Sequence, residues 1–158
     1  MLRLIGVGNR WRGDDAAGLL VAGRVRALHP GGLSVVEHEG EPVELIDACE
    51  GAQAVWLIDA VSSGAKPGAL HRFDASDHGL PAALFRVSTH RLGVADALEL
   101  ARALGRLPPR IVVYGIEGTR FEAGRPPSPA VVATAERLAA ALVEEVAAWA
   151  SGCLAPTS

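Results

Sequence analysis

Three residues of this chain are of the types that hold a divalent cation while leaving room for a reacting partner. Asp15 lies in "GVGNRWRGDDAAG", Asp59 in "LIDAVSSG" and His90 in "STHRLG". Together they offer carboxylate oxygens and one imidazole nitrogen. Such a set suits a borderline ion such as Ni²⁺ or Zn²⁺ and leaves coordination positions open, as a hydrolytic centre requires. Each residue also has an ordinary reading. Asp14 or Asp15 is a natural N-cap for a following helix. A strand-end aspartate can cap its own loop, and a lone histidine before a helix is more often a loop residue than a ligand. One cap, however, accounts for only one of two adjacent aspartates. Spacing by itself supports an open metal site and nothing finer.

The elements that must position these residues follow from the hydrophobic pattern. Leu2 to Val7 is a short apolar run ending at glycine, which predicts a buried strand. Asp14 to His29 has helical periodicity and stops at His29-Pro30-Gly31-Gly32. Leu33 to His38 predicts a second strand, Pro42 to Ala52 a short helix with proline in its first turn, and Ala54 to Ala60 a third strand. Ala69 to Phe73 alternates as a further strand would. Leu92 to Leu104 predicts a helix closed by Gly105, Arg110 to Glu117 a strand, and Ser128 to Ala150 a long helix with Ser128 as N-cap and Pro129 at its first position.

Strands apolar on both faces, alternating with helices, imply a three-layer α/β/α fold around a mostly parallel sheet of about five strands. In such sheets sites collect beyond the carboxyl ends of the strands. That rule brings Asp14, Asp15, Glu39 to Glu41 and Asp59 to one edge, and the loop carrying His90 can return to it. A single domain over residues 1–152 with a tail at 153–158 is expected.

Composition excludes several classes. The chain has 158 residues, 49% hydrophobic and 21% charged, so it can bury a core without staples. A net charge of −3 gives no general attraction to nucleic acid or anionic lipid. The N-terminal "LRLIGVG" has no secretory character, and no apolar run reaches the roughly 18 residues of a membrane span, so a cytoplasmic protein is expected. Cys49 and Cys153 are too few for a disulfide framework, and Cys49 reads as a buried thiol. The Gly6-x-Gly8 pair invites a dinucleotide reading, but that fingerprint needs glycine where Trp11 stands, and two carboxylates would repel a pyrophosphate. Neither H-E-x-x-H nor G-x-S-x-G occurs. His29, His38, His71 and His78 are weaker candidates than His90.

Taken in order, "GVGN", "DAAGLLVA", "LIDA" and "STHRLGVADAL" resemble the hydrogenase maturation endopeptidases, peptidase family M52, from Leu2 to about Ala150. The resemblance implies the same three-layer fold and a protease of aspartyl-type or metal-dependent chemistry. It would remove a C-terminal extension from the large-subunit precursor of a [NiFe]-hydrogenase once nickel is inserted. By that resemblance Asp15, Asp59 and His90 are the metal-site and catalytic residues. Nickel would arrive with the substrate, leaving no permanent cofactor, and the protein would be a monomer. After the second strand the family often has a Gly-Thr pair; here Gly40 is kept, with Glu41 and Pro42 following. The alternatives are a peptidyl-tRNA hydrolase-like enzyme, which "GVGN" also resembles but whose Thr-Arg-His-Asn stretch is absent, and a non-catalytic nucleotide-binding or chaperone module.

Overall fold

The computed structural model describes residues 1–28, 30–85 and 92–152. Strands β1 (Leu2–Val7), β2 (Leu33–His38), β3 (Ala54–Val61), β4 (Leu70–Asp74) and β5 (Arg110–Glu117) form one sheet in the order β2-β1-β3-β5-β4. The pairings β1 with β2, β1 with β3 and β3 with β5 are parallel, while β4 closes the edge antiparallel to β5. β3 is buried along its whole length, which is why its sequence is apolar at every position bar Asp59. β4 at the edge alternates between exposed and half-buried residues, as its sequence does.

Alternate side chains of the sheet enter two separate cores. Leu4, Trp56, Ile58, Ala60, Val112 and Tyr114 face helices α1 (Ala17–Ala27) and α4 (Pro129–Ala150). Ile5, Val7, Val55, Leu57, Val61 and Val113 face α2 (Pro42–Cys49) and α3 (Val94–Ala103). The expected α/β/α sandwich with a mostly parallel five-stranded sheet is therefore present. Cys49 is buried in the second core, and burial pushes its thiol up to about 11. Among the described residues no helix is long and apolar enough to cross a membrane. His29, Cys153 and the expected tail lie outside the described residues.

Local readings hold or fail for identifiable reasons. Gly105 closes α3 as expected: at φ +68° it lets Arg106 N–H reach Ala101 O at 2.8 Å and its own N–H reach Arg102 O at 3.1 Å. The expected capping of the first helix by Asp14 or Asp15 is wrong. A 3₁₀ turn, Gly13–Ala16, precedes α1, and the N-cap of α1 is Ala16, with no side-chain bond. Asp14 is committed elsewhere, as described below. Ser128 and Pro129 do occupy the N-cap and first position of α4, yet the serine hydroxyl does not cap that helix. The helices expected at Pro42 to Ala52 and Leu92 to Leu104 are shorter at their ends, with Glu41 supplying the cap of α2 through Glu44 N–H at 2.9 Å.

The glycines near the start serve packing. A Cβ on Gly18 would stand 2.3 Å from both the Ile58 and Val7 carbonyl oxygens, and one on Gly6 would stand 2.2 Å from Gly18 O. This pair lets α1 lie directly on β1 and β3. Because the obstacles are main-chain atoms, Gly18→Ala is expected to destabilise by about 3 kcal/mol or more, above the usual range for overpacking, as a fall in the urea midpoint. A midpoint equal to wild type would contradict this close approach.

Candidate active site at the carboxyl edge of the sheet

The segment after β1 is a tight turn held by its own main chain. Gly8 N–H donates to His38 O at 3.0 Å, Asn9 N–H to Asp15 O at 3.1 Å and Asp15 N–H to Arg12 O at 3.1 Å. A Cβ on Gly8 would lie 2.0 Å from Asp15 O, so Gly8 is required by the turn pressed against it. The glycine pair is thus consumed by contacts within the protein, which removes the feature that suggested a nucleotide-binding loop. A pocket of about 230 Å³ opens beside the turn, between Trp11, Leu19 of α1 and Glu37 at the end of β2. Neither Asp15 nor Asp59 lines it.

Asp14 anchors this turn to the connection between β5 and α4. Its side chain is fully buried. Oδ2 accepts the N–H groups of Thr119 at 2.8 Å and Arg120 at 3.0 Å; Oδ1 accepts the Ser128 N–H at 2.6 Å and the Ser128 hydroxyl at 2.8 Å. Burial by itself would raise this carboxyl, but the bonds from Ser128, Thr119 and Arg120 outweigh it and hold the group below its usual range. Main-chain bonds run alongside, from Asp14 N–H to Arg120 O at 2.6 Å, Gly13 N–H to Arg125 O at 3.0 Å and Gly124 N–H to Trp11 O at 2.7 Å.

Asp15 and Asp59 are brought together at the same edge. They are 5% and 3% exposed. Arg12 Nη1 stands 3.4 Å from Asp15 Oδ2. Asp59 accepts the N–H of the next residue, Ala60, at 2.8 Å. Burial, and then the charge of Asp15, push the Asp59 carboxyl well above the ordinary carboxylate range. His90 lies outside the described residues. The chain on either side of its segment is in place: Ser62 N–H donates to Leu84 O at 3.1 Å, and a Cβ on Gly93 would stand 2.6 Å from Phe85 O. Among the described residues no three metal-ligating side chains converge.

Glu117, at the end of β5, was not singled out by the sequence. It is 1% exposed and accepts Ser63 N–H at 2.7 Å and Ser63 Oγ–H at 2.9 Å, with His71 Nε2 at 3.2 Å. Burial opposes ionisation there, but the bonds from Ser63 and His71 keep the carboxyl below its usual range. It ties the loop after β3 to β5, a tertiary role for which a glutamate ending an apolar strand is the only sequence trace.

Comparison with known proteins adds the family. The chain matches the family model described as hydrogenase maturation protease over residues 25–145. It is 27% identical over 151 residues to the hydrogenase expression/formation protein HupD of Rhodobacter capsulatus, covering 92% of this chain and 71% of that one. Against the hydrogenase expression/formation protein HupM of Azotobacter chroococcum the identity is 27% over 123 residues, covering 75% of this chain and 58%, less than two thirds, of the relative. The [NiFe] hydrogenase maturation protease HycI of Thermococcus kodakarensis superposes with a TM-score of 0.70 at 26% identity, covering 90% of both chains. The hydrogenase maturating endopeptidase HybD of E. coli superposes at 0.73 with 22% identity, over 92% of this chain and 93% of that one, a likeness of fold. With the family model matched over most of its length, this chain belongs to the hydrogenase maturation protease family and is a peptidase.

Proposed function

We propose that this chain removes the C-terminal extension of a [NiFe]-hydrogenase large-subunit precursor after nickel insertion. In this reading Asp15, Asp59 and His90 recognise nickel that the precursor brings. The observation that supports the site is the pair Asp15 and Asp59, both buried at the carboxyl edge, with the Asp59 carboxyl pushed upward by burial and then by the charge of Asp15. Two buried carboxylates of like charge are costly, and a cation between them relieves both burial and repulsion. Two carboxylates and one histidine make a sparse donor set, so nickel already held by the precursor fits better than a resident ion. Bound there, nickel would polarise the scissile carbonyl or a water molecule. The enzyme is then metal-dependent without carrying a metal of its own.

The test is cleavage of precursor prepared with and without nickel. Purified enzyme is expected to be folded and largely metal-free, to process the loaded precursor and to ignore the unloaded one. Chelator added to the enzyme before substrate should leave it active. Stoichiometric zinc in the active protein, with cleavage lost on its removal, would replace this reading with a resident-metal protease. Asp15→Asn, which keeps the shape of a buried side chain while removing its charge, and His90→Ala are expected to abolish processing; retained processing in either would remove that residue from the site.

A further inference from the structure

The carboxyl edge of the sheet carries a gradient of charge. In the strand order β2-β1-β3-β5-β4, the β2 end leads into Glu39, Glu41 and Glu44, which have no arginine or lysine partner among the described residues. Asp15 and Asp59 follow, after β1 and within β3. Beyond them lie Arg120 and Arg125 in the connection after β5, and Lys66 in the loop from β3 to β4. Most arginines of this protein are ion-paired, as Arg10 with Glu37, Arg24 with Glu136 and Arg106 with Asp47. Lys66, Arg120, Arg125 and Arg137 are exposed and have no carboxylate partner among the described residues. Glu122 stands among them, so the group stays cationic in a protein whose net charge is −3.

Main-chain bonds fix these cations beside the site. Arg120 N–H donates to Asp14 Oδ2 at 3.0 Å and Gly13 N–H donates to Arg125 O at 3.0 Å, so both arginines are tied to the turn that carries Asp15. The Lys66 loop is pinned from two sides. Gly68 N–H donates to Glu117 O at 2.8 Å, and the Thr134 hydroxyl to Gly68 O at 2.6 Å. A Cβ on Gly68 would stand 2.8 Å from Ala130 O, so the loop lies directly on α4. There Lys66 and Arg137 line one pocket of about 340 Å³ with Ala130, Ala133 and Thr134. Arg137 Nη2 is steadied by a bond to Thr134 Oγ1 at 3.1 Å. β3 and β4 are two strands apart, about 10 Å, a span that a short extended peptide crosses.

We propose that the C-terminal extension of the precursor runs from Asp59 across β5 toward β4, with its terminal α-carboxylate held in this pocket by Lys66 and Arg137. This rests on the protease reading above. Whatever its sequence, a C-terminal extension ends in an α-carboxylate, so that group is readable without side-chain contacts. A guanidinium and an ammonium supply charged donors to it. The glutamates at the β2 end repel the same terminus, which sets the direction in which the segment lies. On its way it crosses the connection that carries Arg120 and Arg125. A nucleic acid is disfavoured as occupant, because its phosphates would also meet Asp15, Asp59 and the three glutamates.

Lys66→Ala combined with Arg137→Ala tests this, since both side chains are exposed and the Tm should stay at the wild-type value. The double variant is expected to raise KM for nickel-loaded precursor about fivefold, the loss falling on KM and not on kcat. Precursor amidated at its C-terminus should show the same loss with wild-type enzyme and no further loss with the variant. Because Lys66 is the only lysine of the chain, nitrogen-15 labelling of lysine gives a single backbone resonance. It should shift on addition of a synthetic peptide of the extension as the free acid, and stay in place with the peptide amide. A wild-type KM in the double variant, equal processing of acid and amide precursors, or an equal shift with inorganic phosphate at the same concentration would each overturn the proposal. Wild-type enzyme that binds the free-acid peptide with the shift but cleaves no loaded precursor would remove the protease reading and leave the carboxylate site. Cleavage that ignores the terminus would do the reverse.

Discussion

Asp59→Asn is expected to reduce processing by about 10³-fold or more while making the metal-free protein more stable. Asparagine has almost the same shape and can still accept the Ala60 N–H, so packing in the fully buried β3 is kept. What disappears is a charge held in an apolar strand beside Asp15. The sign follows from the raised carboxyl. Below the unfolded value of about 3.9 both states are protonated and burial of Asp59 costs little. As pH rises from there through the higher folded value, the folded state must give up a proton it holds more tightly, and stability falls. The asparagine variant lacks that fall. Its advantage in Tm over wild type should therefore grow with pH, reaching on the order of 1 kcal/mol near neutrality. Urea unfolding at several pH values, beside a cleavage assay, reads both effects. A variant that is inactive and also less stable would mean that Asp59 supports the fold and not a cation.

The parts of this molecule legible in the sequence are those fixed by local chemistry. The unbroken apolar run of β3 requires cover on both faces, and it has it. Gly105 requires a left-handed turn after α3, and it has one. The edge that gathers Asp15 and Asp59 follows from strand order in a parallel sheet, without any side-chain detail. What could not be read is set by distant partners. Asp14 and Ser128 are 114 residues apart, and the separate helix caps that local pattern assigns to their side chains give way to two hydrogen bonds between them. The Gly6 and Gly18 contacts with main-chain oxygens depend on how closely α1 approaches the sheet, which no pattern in "GVGN" encodes. The single row in which His38 and Asp59 end, with Val7 between them, exists only in the register of three strands.

Asp14→Ala is expected to cost on the order of 3–5 kcal/mol of stability, enough to unfold a marginal domain. The substitution leaves three main-chain N–H groups and one hydroxyl, from Thr119, Arg120 and Ser128, facing a buried space with no acceptor. It also releases the connection between β5 and α4 from the turn that carries Asp15. Asp14→Asn should be milder but still damaging, because its amide must turn an N–H₂ toward groups that are themselves donors. The pH dependence runs opposite to that of Asp59. A carboxyl held below its unfolded value contributes its full stability above about pH 3.9 and loses it as pH falls through the lower folded value, so the gap between wild type and Asp14→Ala should be widest near neutrality and close in acid. Processing should fail in parallel with folding, and partial refolding in a stabilising osmolyte should restore both. An Asp14→Ala protein with wild-type Tm and no cleavage would move Asp14 from the scaffold into the chemistry, and Asp15 would then be the residue needing a new explanation.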